Sequence, residues 1–311
     1  MTNVETTRTV NLQKLLAGAQ LPALPQSAIR LLELSQNPDN GPAEFAVPIE
    51  VDPGLTGQVL KFVNSSYFGF AREIDNVKQA ISLVGIRTIK NFALWSAVFS
   101  LMPNPKCGPF DLKSLWQDSV RRGLFARALG KAMGMREAED LFAGALLQDM
   151  AVPLLAKELS NDYLKLLEER TQTRTRLSQL ERDRFGWTHG EAAAELCRTW
   201  NLPDAFVELI EHHSDLESLS ENAGTPSQKA VAVSALLPAA SDGDWGEYGQ
   251  FETAYAQLVD PAKTPAAKLL AEADAQFTEF APVLKLAVPT RSLVELAEEA
   301  TKPEAAAASS A

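Results

Sequence analysis

The chain has 311 residues, 46% of them apolar and 22% charged, enough for a large core without disulfide or metal staples. Its two cysteines, Cys107 and Cys197, form no CxxC pair and exclude a disulfide framework, so a reducing compartment is expected. The net charge of −11 is concentrated late: from Ser214 onward 15 acids face 6 bases, against 25 acids and 23 bases before it. Neither part offers the positive footprint that nucleic acid demands, and Arg121, Arg122 and Arg127 read as a solvated helix face. The opening MTNVETTRTV lacks the apolar stretch of a secretory signal. No apolar run approaches the roughly 18 residues of a membrane span. The expectation is a cytoplasmic protein with no membrane insertion and no nucleic-acid partner.

Apolar residues recur at helical spacing nearly throughout, and alternating strand patterns are absent, which predicts an all-α fold. Leu55, Val59, Phe62 and Val63 form one stripe, with Asp52 as its cap and Pro53 as the first helical residue. A short helix over 79–84 ends at Gly85, and a second stripe runs from Ile86 to Leu101. Pro103, Pro105, Gly108 and Pro109 break the chain, so 103–110 is the best internal boundary. Asp111 then caps a helix whose stripe of Leu112, Leu115, Ser119, Gly123 and Ala126 is mostly small, so that a neighbour can approach closely and the helix should be central. Further helices are predicted over 137–147, 161–170, 187–200, 203–213 and 226–240. SDGDWGEYGQ reads as a loop, 264–274 and 291–300 as short alanine-rich acidic helices, and KPEAAAASSA as a disordered tail. No repeat of solenoid period is found.

LPALPQSAIRLLELSQNPD (21–39), VDPGLTGQVLKFVNSSYFG (51–69) and QAISLVGIRTIKNFAL (79–94) resemble the N-terminal half of an HDOD domain. The resemblance continues through LWQDS (115–119), AGALLQDMA (143–151), FGWTHGEAAAELCRTWNLP (185–203) and IEHH (210–213). It implies a lead-in at 1–19, an all-helical domain over 20–240 with an N-terminal half (20–102) and an HD-like half (111–240), an acidic helical extension over 241–300, and a tail at 301–311. HDOD domains are relatives of the HD metal-dependent phosphohydrolases and are associated with bacterial signal transduction.

The HD relatives hold a metal with a histidine, a His-Asp pair and a distant aspartate, because imidazoles and carboxylates fix an ion that activates water. Matched by motif, the first histidine falls on Asp118, the pair on Gln148 and Asp149, and the lysine that often follows on Val152. An amide is a poor ligand for a transition metal. Each surviving residue also has a structural reading: Asp118 pairing with Arg121 or Arg122 on a helix surface, Asp149 capping the next helix. Thr188 and Glu191 have the form of a capping box, which makes His189 the first residue of a helix, and His212 and His213 fall near a helix C-terminus. The functional alternative is a remnant pocket of Asp118, Gln148, Asp149, His189, His212 and His213.

No nucleophile elbow, phosphate loop or HExxH helix occurs. Cys197 reads as core, and Cys107, in a Pro/Gly loop, as exposed. The segment from Asn64 to Gly69 reads as a helix terminator, with Tyr67, Phe68 and Phe70 as a surface for a protein partner. The expected function is a non-enzymatic bacterial regulatory module acting through protein contacts, with no catalytic residue, metal or cofactor. The alternatives are a residual phosphohydrolase and a nucleotide second-messenger sensor. The sensor would need arginines to converge, from among Arg87, Arg121 and Arg122, or Arg182 and Arg184.

Overall fold

The computed structural model describes residues 10–19, 23–215 and 224–302. Among them the secondary structure is helical, with no strand. The N-terminal half comprises α1 (Leu12–Gly18), α2 (Gln26–Ser35), α3 (Pro42–Glu50), α4 (Pro53–Val63), α5 (Val77–Val84) and α6 (Ile86–Leu101). Its caps are the local ones the sequence predicts. Asp52 accepts the Leu55 amide at 3.0 Å ahead of Pro53, and Gly85, at φ +100°, ends α5 and starts α6 at a backbone angle few other residues adopt.

Within the range read from the sequence as the HD-like half lie α7 (Leu112–Ala132), α8 (Ala138–Leu147), α9 (Val152–Glu158), α10 (Ser160–Thr173), α11 (Leu177–Phe185), α12 (His189–Thr199), α13 (Asp204–Glu211) and α14 (Pro226–Ser234). Asp111 caps α7 through the Ser114 amide at 2.8 Å. The small residues of α7 make it central as predicted: a Cβ at Gly123 would stand 3.0 Å from the Phe142 carbonyl, and one at Gly130 2.5 Å from Leu141, so α8 lies directly on this face. α9 and α11 interrupt stretches that carried no predicted helix, and α11 supplies a buried carboxylate at Glu181.

The extension departs from its expected form. Part of the predicted loop belongs to α15 (Tyr248–Ala256), and the first acidic helix extends to α16 (Ala266–Leu284), followed by α17 (Leu293–Ala300). The reason is packing: Leu269, Leu270, Ala273, Phe277, Phe280 and Ala281 of α16 are buried, and α16 lies along α7 and α4. Arg127 of α7 donates to Gln276 at 2.8 Å and sits 5.0 Å from the Tyr67 ring. Lys302 is the last described residue, so the expected disorder of the tail lies, beyond it, outside the described residues.

Candidate functional site

Asp149 ends the α8 segment without capping the next helix, contrary to expectation. Ala151 stands at the α9 cap, while the Asp149 carboxylate turns inward, because the half-buried Arg122 and two buried imidazoles compete for it. Arg122 of α7 bonds its Oδ2, and Oδ1 lies 3.2 Å from Nε2 of His189 and 3.6 Å from Nε2 of His213. The two imidazole Nε2 atoms are 3.1 Å apart.

Thr188 and Glu191 form the predicted capping box, and this places His189 at the start of α12 with its ring buried. His213 follows α13. Gly190 lets the two helices meet, since a Cβ there would lie 3.0 Å from the Glu211 carbonyl and 3.2 Å from the His213 ring. His212 does not join the site: it is the half-buried C-cap of α13, and its neighbour His213 points inward to bond the Ile210 carbonyl at 2.6 Å.

Each imidazole is aimed from behind. Nδ1 of His189 donates to Glu181 at 2.6 Å, and the fully buried Glu181 also accepts the His189 amide at 2.7 Å and the Tyr163 hydroxyl. A carboxylate and a carbonyl accept only, so both Nδ1 atoms carry the proton and both Nε2 atoms face Asp149. Burial alone lowers the pKa of His189, but Glu181 and Asp149 outweigh it and hold it up at about 10. Burial lowers the pKa of His213, against the pull of Asp149. Burial would raise the pKa of Asp149, yet Arg122 and the imidazoles hold it well below the usual range. The balance favours a protonated His189 between the two carboxylates and a neutral His213.

Asp118 is also buried, not on a surface. Arg122 is drawn to Asp149, and Asp118 instead accepts the Ala240 amide at 2.6 Å. Burial pushes its pKa up to about 6, against the pull of Arg122. Gln148 is fully buried, its Nε2 3.5 Å from Asp149 Oδ2 and its Oε1 without a hydrogen-bond partner. The HD-type ligand set therefore does not fit a metal here. An amide stands in one ligand position, and a guanidinium occupies the Oδ2 side of Asp149.

The other side of the same carboxylate does fit. Asp149 Oδ1 and the two Nε2 atoms form a triangle with edges of 3.1, 3.2 and 3.6 Å. Ligands at about 2.0–2.1 Å from a tetrahedral ion are separated by roughly 3.3 Å. Asp149, His189 and His213 would hold the ion, supplying a Lewis acid and leaving coordination positions free.

These residues line a cavity of about 360 Å³ together with Asp118, Arg122, Arg170, Arg174, Arg176, Asp242 and Glu247. Of the arginines expected to converge, only Arg122 does. Arg87 pairs with Asp140, Arg121 is buried beside Asp274, Arg182 pairs with Glu191 and Arg184 with Asp162. Glu181 and the arginines of 170–176 are absent from the sequence-derived set. Glu181 was detectable as a carboxylate on the apolar stripe Leu177–Glu181–Phe185, whereas the arginines carried no local signal.

The aromatic segment behaves mostly as a terminator. Asn64 binds the Leu60 carbonyl at 2.9 Å and both backbone groups of Ile74 at 2.8 Å, and Gly69 turns at φ +60°. Tyr67 and Phe68 are half-buried, with Tyr67 against Phe280 of α16 at 4.6 Å between centroids; Phe70 is exposed. Cys107 corrects a further expectation. It is buried, with Sγ 3.4 Å from the Ser160 carbonyl, and burial raises its pKa; Cys197 is core, raised to about 12 by burial.

Among the described residues no helix is long and apolar enough to cross a membrane. An HDOD domain protein from Geobacter sulfurreducens has the same fold, with a TM-score of 0.71 at 19% identity over 89% of this chain and 97% of that one. So does a protein from Marinobacter aquaeolei VT8 named for signal transduction, also at TM-score 0.71 and 19% identity, over 90% of this chain and 68% of that one. A protein of Treponema pallidum (strain Nichols) is 25% identical over 202 residues, which make up 65% of this chain; the match covers 39% of that relative, so the chain spans about two fifths of its length. The family model of the HDOD domain matches residues 21–216, well over half of the chain, and the chain belongs to the HDOD domain family.

Proposed function

We propose that this HD-related regulatory domain is a sensor whose pocket binds a divalent transition metal at Asp149, His189 and His213 and reports its occupancy to a protein partner. The triangle of one carboxylate oxygen and two Nε2 atoms carries this reading, because Glu181 and the Ile210 carbonyl orient both rings before any ion arrives. A structural pair of histidines would not need both Nε2 atoms turned onto one carboxylate oxygen. The signal-transduction name of the Marinobacter neighbour agrees with a regulatory role. Tyr67 and Phe68 already pack on this chain, which leaves Phe70 as the member of that trio open to a partner.

A second reading follows from the coordination itself. Three protein ligands beside a cavity are the arrangement of a catalytic metal, with positions left for water and substrate, so hydrolysis of a phosphate ester is the competing activity. The test of the main reading is elemental mass spectrometry of tag-free protein after equilibration with zinc, manganese or iron. We expect about one ion per chain, lost in His189→Ala and in His213→Ala. A wild-type chain that retains no ion under these conditions overturns the proposal. Turnover of p-nitrophenyl phosphate by the loaded protein would favour the hydrolase.

A further inference from the structure

The outer end of the cavity holds a different chemistry from its floor. Arg170 lies in the last turn of α10, Arg174 is the left-handed residue that ends it at φ +61°, and Arg176 precedes α11. This turn thus directs three guanidiniums at one cavity, which Arg122 also lines. The carboxylate partners of Arg170, Arg174 and Arg176 all lie on one short stretch of the same chain, while Arg176 also donates to the Ala235 carbonyl at 3.4 Å. Arg170 forks onto Asp242, with Nη1–Oδ1 at 3.2 Å and Nη2–Oδ2 at 3.0 Å; Arg174 is 3.4 Å from Asp244; Arg176 Nε is 3.2 Å from Glu247.

This stretch is an acidic strap across the arginines. Its polar ties to the rest of the chain are the neighbouring Ala240 amide to Asp118 at 2.6 Å, the indole of the buried Trp245 to the Leu236 carbonyl at 2.8 Å, and the Gly243 carbonyl to Arg291. The ion pairs are weakly held at their outer end, where the Arg174 and Asp244 side chains are 47% and 67% exposed, and such pairs contribute little to stability. Planar guanidinium forks match the oxygens of phosphate as well as those of carboxylate, and several arginines around one concavity are suited to an anion of more than one charge. A single dianionic group gains all three arginines at once, whereas the strap must hold three separate carboxylates.

We propose that Arg170, Arg174 and Arg176 form a recognition subsite for the phosphate group of a small-molecule ligand, and that the carboxylates of Asp242, Asp244 and Glu247 occupy it from within the chain until that ligand displaces them, with the buried Trp245 holding the strap's backbone in place. The proposal rests on reading the cavity as a ligand site and is independent of whether a metal sits on its floor. It also gives the acidic segment a role, since release of these carboxylates frees charged side chains on the connection between α14 and α15.

The test uses the full chain in chelator, at constant ionic strength, with inorganic pyrophosphate as the probe in isothermal titration calorimetry. Asp244→Asn with Glu247→Gln removes two competing charges and leaves Asp242, which also accepts the Ala239 amide. The double variant should bind pyrophosphate about tenfold more tightly than the wild type, and adding Arg174→Ala should cancel that gain. If the double variant does not fold, Arg174→Ala in the wild-type chain serves instead and should weaken binding. Equal affinities in the wild type and the variants, or no binding to any of them at millimolar pyrophosphate, overturn the subsite. Metal content, measured separately on the same preparations, reports on Asp149, His189 and His213. A chain that takes up metal but shows no pyrophosphate preference therefore rejects the subsite while leaving the metal reading intact.

Discussion

In the N-terminal half, Asn64 and Ser65 spend their side chains on carbonyls at most ten residues away, finishing α4 and its turn. In the HD-like half, Asp118, Arg122, Asp149 and His213 reach partners 24 to 122 residues distant, and most of these partners are other buried polar side chains or the strap. Both sets belong to conspicuous sequence motifs. The first is accounted for by chain geometry, because every polar group completes a helix end. The second is not, because burying two carboxylates, a guanidinium and two imidazoles together costs solvation that nonpolar packing would avoid. The comparison makes the pocket the first place to test for function and the aromatic segment the first place to test for folding.

The largest expected effect comes from removing the centre of the pocket. Asp149→Ala leaves Arg122 and the His189 imidazolium buried without their shared counter-charge, and breaking such a pair costs about 3–5 kcal/mol. Loss of a helix cap alone would cost about 1 kcal/mol. Urea denaturation separates the two, and a loss near the smaller figure would mean that the polar cluster is not coupled.

The next effect is a pH dependence of the metal-free chain. His189 is held up at about 10 when folded, whereas an unfolded histidine titrates near ~6.5. Its protonation therefore stabilises the fold fully below about pH 6.5, and this contribution is lost as the pH rises through about 10. Urea midpoints at pH 6.5 and 10 should differ more for the wild type than for His189→Gln. Parallel shifts in the two proteins would show that His189 is not an imidazolium in the fold.

The sequence was informative wherever the cause is local. The caps at Asp52, Asp111 and Thr188 act within three residues, and the small stripe of α7 registers its neighbour directly, so these features could be read without a structure. Asp149, His189 and His213 were visible as motif residues, but their roles were not. Which of two adjacent histidines turns inward depends on the Ile210 carbonyl and on the approach that Gly190 allows, both set by how α12 and α13 pack. The guanidiniums at 170–176 were hidden for the same reason, since their acidic partners at 242–247 meet them only in the folded chain. The length of α16 escaped the reading because its apolar face is matched to α7 and α4, not to any local signal.

The smallest expected effect tests the other side of the comparison. Tyr67 packs between Phe68, Phe280 and Arg127, so Tyr67→Ala opens a cavity where α16 meets the N-terminal half and should cost about 3 kcal/mol. Phe70 stacks on Phe68 at 6.1 Å and is 37% exposed, so Phe70→Ala should change stability by no more than about 0.5 kcal/mol. That contrast makes Phe70 the cleaner probe, because its removal leaves the fold in place and isolates any contact it makes outside the chain. If Phe70→Ala abolishes signalling in cells while its urea midpoint and metal content match the wild type, the aromatic segment carries output as well as folding, and the division between the two regions fails. If signalling survives, Phe70 carries none of the output, and under the sensor proposal the surface that reports the state of the pocket lies elsewhere, with the strap and α15 as the next place to mutate.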